Sequence, residues 1–169
     1  MGAGKTTVGK VLARKLNIEF FDLDWYIEAR FRMKIPQIFA EKGEGEFRRL
    51  EQLMLHEVAE MEDVVISCGG GTPCFFDNME FINRQSESFY LKASPEVLKT
   101  HLLMAKTPRP LIIGKTPEQL IEYITESLAE REKFYLKAKH IIDIHVMHTK
   151  AQIQQYADQI YNMVNQLSQ

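Results

Sequence analysis

Gly2-Ala3-Gly4-Lys5-Thr6-Thr7 opens the chain with residue types suited to holding a polyphosphate. Glycines let the backbone curl so that N–H groups point inward at phosphate oxygens. Lys5 adds a positive charge toward the β- and γ-phosphates, and Thr6 offers a hydroxyl to magnesium. A helix running on from Lys5 aims its positive dipole end at the same anion. The bland alternative is a flexible glycine-rich start, but Gly-Lys-Thr opening a strongly patterned helix is more specific than that. The full pattern, G-x-x-x-x-G-K-[ST], puts its first glycine two residues before Met1. The apolar strand that normally feeds such a loop is also missing from these 169 residues. The expectation is that a segment of roughly 5–12 residues, an apolar strand ending in that glycine, belongs ahead of Met1, and that the chain is poorly stable without it.

Further chemistry lies downstream. Asp22-Leu23-Asp24 closes an apolar run. If the run is a strand, both carboxylates point the same way, about 7 Å apart, at the carboxyl end where parallel sheets bind ligands. One could hold a magnesium shell while the other meets a substrate hydroxyl. Helix capping by Asp24 is the competing use. Arg48, in Phe47-Arg48-Arg49, either forks onto a planar carboxylate or belongs to a solvated basic face. Gly69-Gly70-Gly71 weakens local structure unless a backbone must approach a ligand closely. Arg109, between Pro108 and Pro110, could swing over a triphosphate as a lid or be an ordinary loop arginine. Arg131 could serve a ligand or simply a helix dipole.

The elements that must position these groups alternate. Helical patterning covers Lys5–Leu16, a short stretch around Ile35–Phe39 punctuated by Gly43 and Gly45, and a longer one over Glu46–Met61. Ser94-Pro95 and Thr116-Pro117 with Gln119 read as helix starts, the latter running to about Tyr135. Thr149 with Gln152 caps a last helix. Short apolar runs at 18–23, 64–67, 89–91 and 141–144 read as strands. Such runs, without polar alternation and interleaved with helices, predict a parallel sheet covered on both faces. Thus the expected architecture is α/β, in one domain spanning residues 1–169.

Composition is ordinary for a globular protein, at 45% hydrophobic and 26% charged. A net charge of -2 gives no reason to expect nucleic acid or an anionic membrane as partner. Two cysteines, Cys68 and Cys74, without a CxxC pair, suit a reducing compartment and predict a cytoplasmic protein. His145 and His148 have no second ligand pair to make a zinc site.

In order along the chain stand Gly2–Thr6, Asp22/Asp24, Phe47-Arg48 with Glu51, Gly69–Gly71, Arg109-Pro110, and Arg131 with Tyr135. This series resembles the shikimate kinase family over essentially the whole chain. The resemblance implies a three-layer α/β/α P-loop kinase fold with strand order 2-3-1-4-5, the first, central strand being the one absent here. It implies ATP-dependent phosphorylation of shikimate to shikimate 3-phosphate in chorismate and aromatic amino-acid biosynthesis, by a monomer using Mg2+. Lys5, Asp24 and Arg109 would be catalytic. Gly2, Ala3, Gly4, Lys5, Thr6, Thr7 and Arg109 would bind nucleotide, and Thr6 and Asp22 the metal. Asp24, Phe39, Phe47, Arg48, Gly69, Gly70, Gly71 and Arg131 would line the shikimate pocket. A lid would span about 105–116, with adenine near Ile144 to Lys150. Departures fall on the nucleotide side: Glu132 and Lys133 follow Arg131 where the family often has a proline, and only His148 and Lys150 supply basic charge to the adenine loop. The alternatives are a gluconate kinase-like enzyme of the same fold, or an inactive, N-terminally truncated member.

Overall fold

The computed structural model describes residues 2–105 and 114–167. Helix α1 (Lys5–Leu16) follows Gly4, which takes a left-handed conformation (φ 80°) as its N-cap. Val8, Leu12 and Ala13 give the helix its buried face. The helix ends at Asn17, also left-handed, whose N–H closes back on the last turn. These bounds match the sequence expectation.

Strand β1 (Glu19–Asp22) stops one residue earlier than its apolar run suggests, because α2 (Leu23–Phe31) begins there. Asp22, not Asp24, caps this helix: its carboxylate accepts the Trp25 N–H at 3.3 Å. The expectation that Asp22 and Asp24 alternate along one strand is therefore wrong. Asp22 ends the strand and Asp24 lies in the first helical turn.

Helix α3 (Ile35–Ala59) joins the two expected helical stretches. Gly43, with φ 75° and ψ 169°, kinks it where the glycines were read as punctuation, while Gly45 stays helical. Strand β2 (Val64–Ser67) leads through the triple glycine into a 3-10 turn (Thr72–Cys74). Helix α4 (Asn78–Gln85), which sequence patterning missed, precedes β3 (Phe89–Lys92). Helix α5 (Pro95–Met104) is capped by Ser94, and α6 (Pro117–Tyr135) by the expected Thr116–Gln119 capping box. Strand β4 (His140–Asp143) and α7 (Lys150–Leu167) complete the chain. Most of the expected lid, including Arg109, falls in 106–113, outside the described residues.

All pairing is parallel. β1 joins β2 from Glu19↔Val64 to Asp22↔Ser67, and β3 joins β4 from Phe89↔His140 to Lys92↔Asp143. Among the described residues the two pairs form two separate two-stranded sheets. A cavity of about 950 Å³ lies between them, lined by Val8 and Leu12 of α1, Val65 and Ile66 of β2, and Phe89 and Leu91 of β3. It explains why Val64, Val65 and Ile66 are only half-buried, although an apolar run in a covered parallel sheet should be buried on both faces.

Two apolar cores result. One packs α1, α5, α6 and α7 around Leu91 and Ile142, and the other packs α2 and α3 around Leu23, Ile27, Ile38 and Phe47. Among the described residues no helix is long and apolar enough to cross a membrane.

Candidate active site

The phosphate loop is a backbone device. Gly2 and Gly4 have φ of 74° and 80°, a region side chains rarely adopt, and Gly4 hands directly into α1. Thr6 projects from the first turn and its hydroxyl donates to the Asp22 carboxylate at 2.7 Å. That bond joins two residues 16 apart and fixes the loop against the end of β1. Asp22 thus has two jobs, one carboxylate oxygen capping α2 and the other holding Thr6.

Asp24 reaches the same region from α2. A side-chain carbon added at Gly69 would lie 2.8 Å from an Asp24 carboxylate oxygen, 3.2 Å from the Thr72 hydroxyl and 3.4 Å from a Glu51 oxygen. Only a glycine lets this carboxylate come so close to the backbone. The Cys68 thiol senses the convergence. Burial pushes it up to about 12, against the pull of the Lys5 ammonium, and Glu51, Asp24 and Asp22 add to the rise. Lys5 and the two aspartates all act electrostatically on this one thiol, though Asp24 arrives on a helix.

Arg48 is not part of a solvated face. Its side chain is only 11% exposed, whereas neighbouring Arg49, 75% exposed, pairs loosely with Glu46 at 3.6 Å. Helical phase separates these adjacent arginines. Arg48 donates to Glu51 at 2.9 Å and to Glu44 at 3.1 Å. Its guanidinium lies over Phe75 at 4.2 Å and near Phe47 and Phe39 at 5.2 and 5.7 Å. Phe39 and Phe47 pack together, ring centroids 4.4 Å apart. The buried Nε of Arg48 has no hydrogen-bond partner among the described residues.

The triple glycine closes the pocket. A side-chain carbon at Gly71 would sit 2.6 Å from Arg48 Nη1, so Arg48 lies directly on that backbone. The Tyr135 hydroxyl donates to the Gly70 carbonyl at 2.5 Å. Burial pushes this phenol up to about 12, while Arg131 beside it pulls the other way. The Cys74 thiol is raised by burial and lowered by both Arg131 and Arg48. The two arginines, 83 positions apart by their numbers, therefore both act on one thiol, which lies beside Gly70.

Sequence reasoning noted Glu51 only as part of a motif, gave it no role, and missed the rest of the pocket's scaffold. Glu51 is fully buried and accepts from the Thr72 hydroxyl at 2.6 Å as well as from Arg48. Asn78, also buried, donates to the Thr72 carbonyl at 2.8 Å. Phe75 supplies the ring nearest Arg48. The usable signal was Glu51 three residues after Arg48 on one helix, a spacing that pairs side chains. Thr72, Phe75 and Asn78 carry no such mark. Both cysteines are free thiols.

A phosphate loop opening a helix, one carboxylate at a parallel strand end with a second in the helix that follows, and an arginine pocket define a P-loop phosphotransferase of the α/β class. A family model described as shikimate kinase matches residues 1–165. The shikimate kinase of Phocaeicola vulgatus is 50% identical over 165 residues, covering 98% of this chain and 94% of its own length. That of Bacteroides thetaiotaomicron is 48% identical over 164 residues, covering 97% and 94%. The crystal structure of a Bacteroides thetaiotaomicron shikimate kinase superposes with a TM-score of 0.95 at 47% identity, covering 98% of this chain and 94% of that one. A shikimate kinase from Acinetobacter baumannii, solved in complex with shikimate, gives 0.82 at 32% identity, covering 98% and 89%. The chain belongs to the shikimate kinase family.

Proposed function

We propose that this chain transfers the γ-phosphoryl group of ATP to a ring hydroxyl of shikimate, as a single-domain monomer in the cytoplasm. The observation that carries the reading is a pair of arginines acting on the Cys74 thiol, Arg48 lying against the Gly71 backbone and Arg131 beside Tyr135, which bonds to Gly70. Two guanidinium groups beside an approachable backbone suit a carboxylated ring alcohol, the arginines taking the carboxylate and the glycines the hydroxyls.

Within this reading the loop Gly2–Thr7 receives the phosphates on backbone N–H groups, with Lys5 neutralising charge on them. Asp24 orients the attacking hydroxyl and takes up its proton. Phosphoryl transfer leaves the protein mainly positioning and charge neutralisation to perform, so orientation by Asp24 matters more than its basicity. Phe39, Phe47 and Phe75 keep the Arg48 side of the pocket dry, which strengthens its hydrogen bonds to a carboxylate. Arg109, outside the described residues, is assigned to a lid over the triphosphate.

Thr6 and Asp22 fit Mg2+. Both offer hard oxygen donors within 2.7 Å of each other. Among the described residues no group of three or more His, Cys, Asp or Glu could build an all-protein cage. Magnesium is usually held by one or two protein oxygens together with phosphate and water. When bound it would neutralise charge on the β- and γ-phosphates.

A coupled ADP-release assay with shikimate, gluconate and nucleoside monophosphates tests the proposal. Turnover confined to shikimate is expected. Turnover with gluconate or a nucleoside monophosphate and none with shikimate would overturn it.

A further inference from the structure

His101, in the last turn of α5, lies between two backbone segments remote from it in sequence. Its Nδ1 is 2.8 Å from the carbonyl oxygen of Gly2, and its Nε2 is 2.9 Å from the amide nitrogen of Met147. A carbonyl can only accept, so Nδ1 must carry the proton. An amide N–H can only donate, so Nε2 must present its lone pair. The two backbone partners together select the neutral Nδ1–H tautomer.

The surrounding packing shows that this tie holds the phosphate loop at both ends. A side-chain carbon at Gly2 would lie 3.0 Å from Leu102 Cγ and 3.1 Å from the Leu98 carbonyl, so the α5 turn bearing His101 is pressed onto the loop. A side-chain carbon at Gly4 would collide with the methyl carbon of Met147, the residue whose N–H His101 holds. One imidazole thus sets the spacing between the phosphate loop and the segment before α7.

We propose that His101 is a positioning residue for nucleotide: it fixes the distance between the phosphate loop and the segment at Met147, and so the span open to the phosphate and base ends of ATP. The proposal rests on the nucleotide reading given above. It predicts a selective effect. Loosening the tie weakens nucleotide binding and leaves the Arg48–Arg131 pocket alone, because His101 bonds to neither.

Two substitutions and one spectroscopic measurement test it. His101→Phe keeps the ring volume and removes both hydrogen bonds. His101→Asn can retain the bond to Gly2 and loses the one to Met147. ADP affinity by calorimetry should fall about three- to ten-fold in His101→Phe and by less in His101→Asn, the size expected for one or two neutral hydrogen bonds. The KM for ATP should rise in step, with the KM for shikimate unchanged. In the parent protein, nitrogen-15 spectra of the imidazole at mildly alkaline pH should show the proton on Nδ1. A proton on Nε2 overturns the proposal even if both variants fail to fold. So does a folded His101→Phe protein that binds ADP as well as the parent, or one whose KM for shikimate rises as much as that for ATP. A parent chain that does not bind ADP at all overturns the nucleotide reading along with this one, so the two failures are distinguishable.

Discussion

The phosphate loop and the arginine pocket solve two binding problems by different means. The loop is local: six consecutive residues and the helix they open, with two glycines at positive φ doing the shaping. Its distant ties include the Thr6–Asp22 bond, the His101 tie and the packing of Leu98, Leu102 and Met147 against the glycines. The pocket is assembled from far apart in the chain. Arg48 comes from α3, Thr72 and Phe75 from the turn after β2, and Tyr135 and Arg131 from the end of α6. Buried Glu51 holds it together, taking one bond from Arg48 and one from Thr72. An anion with many equivalent oxygens can be met by backbone N–H groups alone. A planar carboxylate on a particular ring needs forked donors held at a set angle, and long side chains hold an angle only when something buried braces them.

The sharpest way to break the comparison is at the carboxylate standing between the two regions. Asp24→Asn should lower turnover by about 10²- to 10⁴-fold while leaving ADP affinity unchanged. Steady-state assays and calorimetry on one preparation would check both halves. A variant that loses ADP binding instead would move Asp24 to the phosphate side.

Next in size is the brace. Glu51→Gln leaves Arg48 buried with, among the described residues, the exposed Glu44 as its remaining anionic partner, and should cost about 3 kcal/mol of stability in urea unfolding. Glu44→Gln, at the solvent-facing end of the same arginine, should cost under about 1 kcal/mol. Equal losses would mean that Glu51 is not the brace.

Gly71→Ala is a finer probe. The new carbon would meet the Arg48 guanidinium, which Glu51, Glu44 and Phe75 prevent from retreating freely. The KM for shikimate should rise about ten-fold, the loss of one charge-assisted hydrogen bond, with ATP kinetics unchanged. A shift in both KM values would show that the two regions are mechanically coupled there.

The smallest effect concerns Cys68, which lies between them. Its thiol ionises at about 12 in the folded chain against an ordinary 9.0. Below pH 9 the neutral thiol costs the fold nothing. As pH rises from 9 toward 12 the unfolded chain ionises first, and stability falls. Cys68→Ala should flatten the decline of melting temperature across that interval. An unchanged slope would assign the decline to other groups.

Much of the fold was legible in the sequence because its signals are local. The bounds of α1, the Ser94 and Thr116 caps, and the Gly43 kink follow from periodicity, side-chain caps and glycine. The failures are equally physical. Asp24 was read on a strand because an apolar run does not show where a capping carboxylate ends it, and Asp22 ends this one early. Helix α4 went unseen because it is short and its buried face is small, carried by Asn78 and Met79.

For the site, the sequence by itself supplied the candidates, namely the phosphate loop, Asp22 and Asp24, and Arg48 and Arg131, because charge and backbone freedom are properties of a residue before it folds. It could not say that Arg48 loses its solvent while Arg49 keeps it. Nor could it say that a buried glutamate braces one of them, or that His101 links two backbone segments 145 positions apart by their numbers, Gly2 and Met147. Those outcomes belong to the tertiary structure alone. Desolvation turns an ordinary ion pair into a rigid mount, and only packing decides which charges lose their water.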